Sequence, residues 1–187
     1  IPQKARPNNS ADISLYAKQH DIPYHELEDI NSLESLDLLR NYAPDYILGS
    51  WPKIIKVDVL NVPKNFCIGT HPTNLPFNRG RHPLHWIISL GIPETKLSFF
   101  KMDEGIDTGA IIAQCVLGLH RDENADVFGR RLFGLLRLMF LQVLSWYSAS
   151  RVQHADDGRI WIRDAVYGEF PISPAVENAF NRIKIVN

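Results

Sequence analysis

Apolar residues follow two rhythms in this chain. Short runs bounded by turn residues read as strands: Tyr46-Ile47-Leu48-Gly49-Ser50, Phe66-Cys67-Ile68-Gly69-Thr70, the alternating stretch 97–102, residues 111–117 and a strand-like 159–162. A brief Ile22-Pro23-Tyr24 segment reads the same way. Between them, apolar positions recur at helical spacing over 11–20, 33–41 and 53–60, in a segment ending at Trp86-Ile87-Ile88, and over 125–148. Ser10 and Ser32 stand where helix N-caps belong. In the last long segment Val127, Phe128, Leu132, Leu135, Leu136, Met139, Phe140 and Val143 make one stripe, read first as core and second as a surface for a partner helix or a homodimer. Asp156-Asp157-Gly158 reads as a turn, and Ser173-Pro174 as the start of a helix in a tail that is otherwise hard to place. Alternating strands and helices predict an α/β fold, an open and mostly parallel sheet with helices on both faces. Residues 1–149 are expected to form this domain and 150–187 an extension.

Composition narrows the class. With 45% apolar and 22% charged residues the chain is globular in character, and its length supports one sizeable core. A net charge of -1 argues against a general nucleic-acid binder, which carries a basic footprint. No apolar run reaches the roughly 18 residues that span a bilayer, and no signal peptide is visible. Cys67 and Cys115 lie in apolar runs and read as buried thiols, so a reducing, cytoplasmic setting is expected. The chain opens on Ile1 rather than Met, so residues are expected upstream.

Candidate chemistry clusters between residues 66 and 109. His71 follows the Phe66 strand; Asp103, Glu104 and Asp107 follow the 97–102 strand. A histidine beyond one strand and an acid beyond the next place both at the crevice where open α/β sheets bind ligands. Alone, His71-Pro72 is a loop dipeptide and Asp107-Thr108-Gly109 an ordinary turn. His82 and His85 stand at metal-ligand spacing but lack a third ligand in register, so no metal site is expected.

Taken together, His71-Pro72-x-x-Leu75-Pro76-x-x-Arg79-Gly80, then Trp86, then Met102-Asp103-x-Gly105-x-Asp107-Thr108-Gly109 resembles the folate-dependent formyltransferases, over roughly residues 46–114. The resemblance implies a Rossmann-like formyltransferase sheet. Its first strand-helix-strand unit has no counterpart here, so the chain is expected to be a piece of a longer protein. It implies formyl transfer from 10-formyltetrahydrofolate to an amine, with His71 and Asp107 as catalytic residues. Ser50, Trp51, Pro52 and Lys53, with Asp103, Glu104 and Gly105, are implied to bind the folate. Arg79-Gly80-Arg81-His82-Pro83-Leu84-His85-Trp86 is similar to the run found in sugar-nucleotide enzymes. That assigns Arg79, Gly80 and Arg81 to the acceptor, a small-molecule amine on a sugar nucleotide, with a methionyl-tRNA-type activity as the alternative.

One position departs from the family. Its Asn, two residues before the histidine, is here Gly69, which offers no side-chain donor. A donor facing the developing oxyanion is worth ~10²–10³ in rate. Asn74 is then the nearest replacement, and a catalytically degenerate binding domain is the reading of a different class.

Overall fold

The computed structural model describes residues 13–51, 53–120, 122–154 and 160–162. Helices α1 (Ile13–Gln19) and α2 (Leu33–Tyr42) precede strand β1 (Tyr46–Gly49). Short helix α3 (Val57–Leu60), β2 (Phe66–His71), α4 (Pro83–Ser89), β3 (Glu94–Lys101), β4 (Ile111–Gly118) and the long α5 (Ala125–Ser148) follow. A small antiparallel pair, β5 (Val152–His154) and β6 (Ile160–Ile162), ends the described chain.

Local chemistry sets these boundaries. Ser32 caps α2 by accepting the Ser35 amide at 3.1 Å, and Ala43 ends it in a left-handed turn. Asn124 caps α5 by accepting the amides of Asp126 and Val127. The α5 stripe is core: Phe128, Leu132, Leu135, Met139, Val143 and Trp146 are buried against Phe66, Ile68, Leu97, Phe99, Ile112, Ala113 and Leu117 of the sheet. Val127 departs from the expected stripe and is 38% exposed, because it stands one residue off the buried face. The rings of Tyr46, Phe66 and Tyr147 meet with centroids 5.1–5.3 Å apart and pin the end of α5 to the first two strands. On the opposite face, Leu36, Ile55 and Val59 form a second cluster with Trp51 and Met102 beside it. The buried Cys67 alternates with Phe66 and Ile68 and faces this cluster, its sulfur 3.9 Å from the Val59 and Leu60 carbonyls.

The expected open α/β sheet is present, in the order β1-β2-β3-β4. β1 and β2 are parallel, whereas β3 is antiparallel to both neighbours, so three of the four strands share a direction. The connection from β2 to β3 holds only the short helix α4, and β3 enters beside β2 in the opposite direction. No strand forms at Ile22-Pro23-Tyr24, which is irregular with Ile22 and Tyr24 exposed. β1, expected to be buried, is only partly so. Ser10, the 156–158 turn and the helix expected after Ser173 lie outside the described residues. Among the described residues no helix is long and apolar enough to cross a membrane.

Candidate active site

Because β3 runs against β2, its carboxyl end lies near the start of β2: the Met102 amide donates to the Cys67 carbonyl at 2.8 Å. Yet Asp107 reaches His71, the last residue of β2. The 103–107 segment therefore doubles back along the sheet. It roofs a cleft of about 580 Å³ over the face that carries Gly49, Gly69, Phe100 and Met102. The cleft thus lies at the carboxyl ends of β1 and β2 and extends onto the sheet face that carries Phe100 and Met102.

His71 is 6% exposed and held at both ring nitrogens. Nε2 lies 3.0 Å from the Asn78 carbonyl oxygen, and Nδ1 lies 3.5 Å from Asp107 Oδ2. A carbonyl only accepts, so Nε2 is the nitrogen that donates to Asn78, while Nδ1 faces the carboxylate. Asp107 is itself fixed. Its backbone is left-handed (φ 52°), a conformation Asp tolerates better than most residues, and Oδ2 accepts the Gly80 amide at 2.9 Å. Gly80 adopts φ 94°, which favours glycine. The acid loop is shaped by Asp103, whose Oδ1 accepts the Gly105 amide at 3.1 Å and the Thr108 hydroxyl at 2.6 Å. Gly109 closes it where any Cβ would collide with the Lys101 carbonyl oxygen.

The loop after His71 is anchored from below by side chains that pattern reading does not single out. Ser98, fully buried, donates to the Thr73 carbonyl at 2.7 Å and accepts from Gln114 Nε2 at 2.8 Å. Gln114 also donates to the Leu75 carbonyl, Thr95 to the Pro72 carbonyl and Thr73 to the Phe77 carbonyl. These hydroxyls lie on β3 and in the loop, and the signal for them is a small polar residue at an inward strand position. A bulge at Phe99/Phe100 shifts the β3–β4 register there. The peptide bond between Leu75 and Pro76 is cis.

Of the residues expected from sequence, His71, Asp107, Asp103, Gly105, Ser50, Trp51, Lys53, Gly80 and Arg81 line the cleft. Arg79, Glu104 and Asn74 do not; all three are exposed. Asn74 sits in a turn in which its backbone carbonyl accepts the Phe77 amide. Pro52 lies outside the described residues. Thr70 also lines the cleft, and Gly49, Ile54, Ile55, Gly69, Phe100, Met102 and Ile106 add an apolar floor and roof that the sequence reads as ordinary core or loop. Trp51 is shared between cleft and core, and its buried indole Nε1 has no hydrogen-bond partner. His82 and His85 stand at the start of α4 with rings 5.8 Å apart, and among the described residues no group of three or more His, Cys, Asp or Glu is placed to hold a metal.

The formyl transferase family model matches residues 5–143, most of the chain and the whole of this cleft. The chain belongs to the formyl transferase family. A formyl transferase relative, the methionyl-tRNA formyltransferase of Thermotoga maritima, is 30% identical over 142 residues, covering 75% of this chain and 45% of the relative. The chain therefore spans less than half the length of that protein. Among solved structures, phosphoribosylglycinamide formyltransferase from Anaplasma phagocytophilum superposes with a TM-score of 0.75 at 18% identity, covering 88% of this chain and 80% of that one, a likeness of fold. Methionyl-tRNA formyltransferase from Clostridium thermocellum matches at 32% identity with a TM-score of 0.52, over 71% of this chain and 58% of that one.

Proposed function

We propose that this cleft transfers a formyl group from 10-formyltetrahydrofolate to a primary amine. The observation that carries the reading is the His71–Asp107 pair, 3.5 Å apart at the rim of a cleft large enough for a folate-sized ligand. In the transfer, the amine nitrogen bonds to the formyl carbon, the bond from that carbon to the folate nitrogen breaks, and the amine's proton passes to the departing nitrogen. His71 stands beside the developing oxyanion of the tetrahedral intermediate to offset its charge, and Asp107 holds the ring in place and relays the proton through water. The apolar floor and Trp51 suit the planar part of the donor. Asp103 and Gly105 shape a loop whose backbone lies against it.

For the acceptor, we propose a nucleotide-linked amino sugar. The Arg79-Gly80-Arg81 run supports it, with Arg81 at the cleft and able to hold a phosphate, as does the near-neutral net charge. The methionyl-tRNA relatives favour a second reading, in which the acceptor is an aminoacyl-tRNA. The test is to offer the full-length protein 10-formyltetrahydrofolate with a UDP-linked amino sugar, glycinamide ribonucleotide or methionyl-tRNA, and to follow tetrahydrofolate formation. His71→Ala and Asp107→Asn are expected to lower the rate by ~10²-fold or more with the best acceptor. Unchanged turnover in either variant rules out these roles.

A further inference from the structure

Gly69 needs an explanation that backbone geometry does not provide. Unlike Gly80 and Gly91 it has no positive φ, and it lies in regular β2, where any L-residue fits the backbone. Space is what opposes a side chain. Gly69 pairs directly with Phe100 across the β2–β3 ladder. A Cβ at position 69 would come within 2.5 Å of Phe100 Cζ and 2.9 Å of both Phe100 Cε1 and Met102 Cγ. Phe99 packs into the α5 core; Phe100, next along the strand, turns to the other face, is 3% exposed and lines the cleft. Its paired glycine on β1, Gly49, is covered in turn by the Met102 thioether and Ile55. Position 69 lies two residues before His71 on the same strand, so its side chain would project on the same face, beside the imidazole.

We infer that Gly69 and Phe100 act as one steric unit, in which the Phe100 ring takes the volume of a side chain at position 69 and keeps the floor beside His71 apolar. A polar donor at position 69 is admitted only when the ring is shortened at the same time. The consequence for rate rests on the formyl-transfer reading above; the steric pairing does not.

The test is a double-mutant cycle in the full-length protein: Gly69→Asn, Phe100→Ala and both together, with Phe100→Leu as a milder partner should Phe100→Ala not fold. Melting temperature and tetrahydrofolate formation from 10-formyltetrahydrofolate, with the best acceptor or water, are read for each. Gly69→Asn alone is expected to lower the melting temperature by several degrees without a gain in rate. The double variant is expected to melt well above the sum of the two single shifts and to turn over at least about tenfold faster than wild type. Additive melting shifts, a Gly69→Asn protein as stable as wild type, or a folded double variant no faster than an active wild type would each overturn the inference. Coupled melting shifts with no turnover in any variant, wild type included, sustain the pairing and instead remove the formyl-transfer reading.

Discussion

The histidine at the end of β2 owes its placement to two oxygens. Asn78 supplies one through its backbone carbonyl, presented from a left-handed turn (φ 55°), and Asp107 supplies the other from a second left-handed turn. Asp and Asn tolerate that conformation because their short polar chains bond locally, which accounts for their presence at both corners. At the same scale, Cys67 has its thiol pushed up to about 11 by burial against α3. The raised value means less thiolate at any pH below it. At pH 8 the thiolate fraction is expected to be about a hundredfold below that of an ordinary cysteine. Native alkylation of Cys67 by iodoacetamide should be correspondingly slow and should return to the ordinary rate in denaturant; mass spectrometry of the modified peptide measures both.

At the scale of elements, β3 is the strand that builds the site. Its reversed direction sends the acid loop back across the sheet, and its inward hydroxyls hold the histidine loop from beneath. Removing the Ser98 hydroxyl leaves the buried Thr73 carbonyl without that donor and deprives Gln114 of one of its two acceptors. Ser98→Ala is therefore expected to cost ~1–3 kcal/mol, read as a melting temperature lower by several degrees, and to slow turnover through a loosened His71 loop. A variant with wild-type melting would show that water replaces the hydroxyl. Beyond the site, Arg131 of α5 donates to Glu123 at 2.6 and 2.8 Å and to the Gly118 carbonyl at 3.2 Å, tying the helix to the end of β4. Glu123 also accepts the His120 amide, so the pair closes the β4–α5 turn.

For the whole molecule, two faces of one sheet have different tasks. The α5 face carries the larger apolar core, whereas the α2–α3 face carries the cleft, floored by Gly49, Gly69, Phe100 and Met102. If the cleft holds the formyl donor, the stable analogue 5-formyltetrahydrofolate should bind the full-length protein in calorimetry. Asp107→Ala should weaken that binding at least about tenfold, because the roof of the cleft is tied to Gly80 through this carboxylate. Equal binding by the variant would place the ligand elsewhere; no binding by a well-folded wild type would leave the degenerate reading, with Gly69 as its cause.

Much of the molecule was legible in the chain. The boundaries of α5 follow from its spacing, β2 and β4 from short apolar runs, and the α2 cap from Ser32, because each depends on periodicity or on hydrogen bonds between near neighbours. The two motifs likewise single out His71 and Asp107, since the residue types carry the chemistry. Tertiary structure decided what depends on contacts between residues distant in sequence. β3 runs antiparallel to β2, so the acid loop doubles back to bring Asp107 to His71. Backbone groups of Asn78 and Gly80, which leave no mark in the side-chain sequence, orient the pair. Asn74, three residues after His71 in the chain, does not line the cleft. Gly69 reads in the chain as a missing donor. In the fold it is a position whose space is already taken by Phe100, far along the chain, and cross-strand register alone brings the two together.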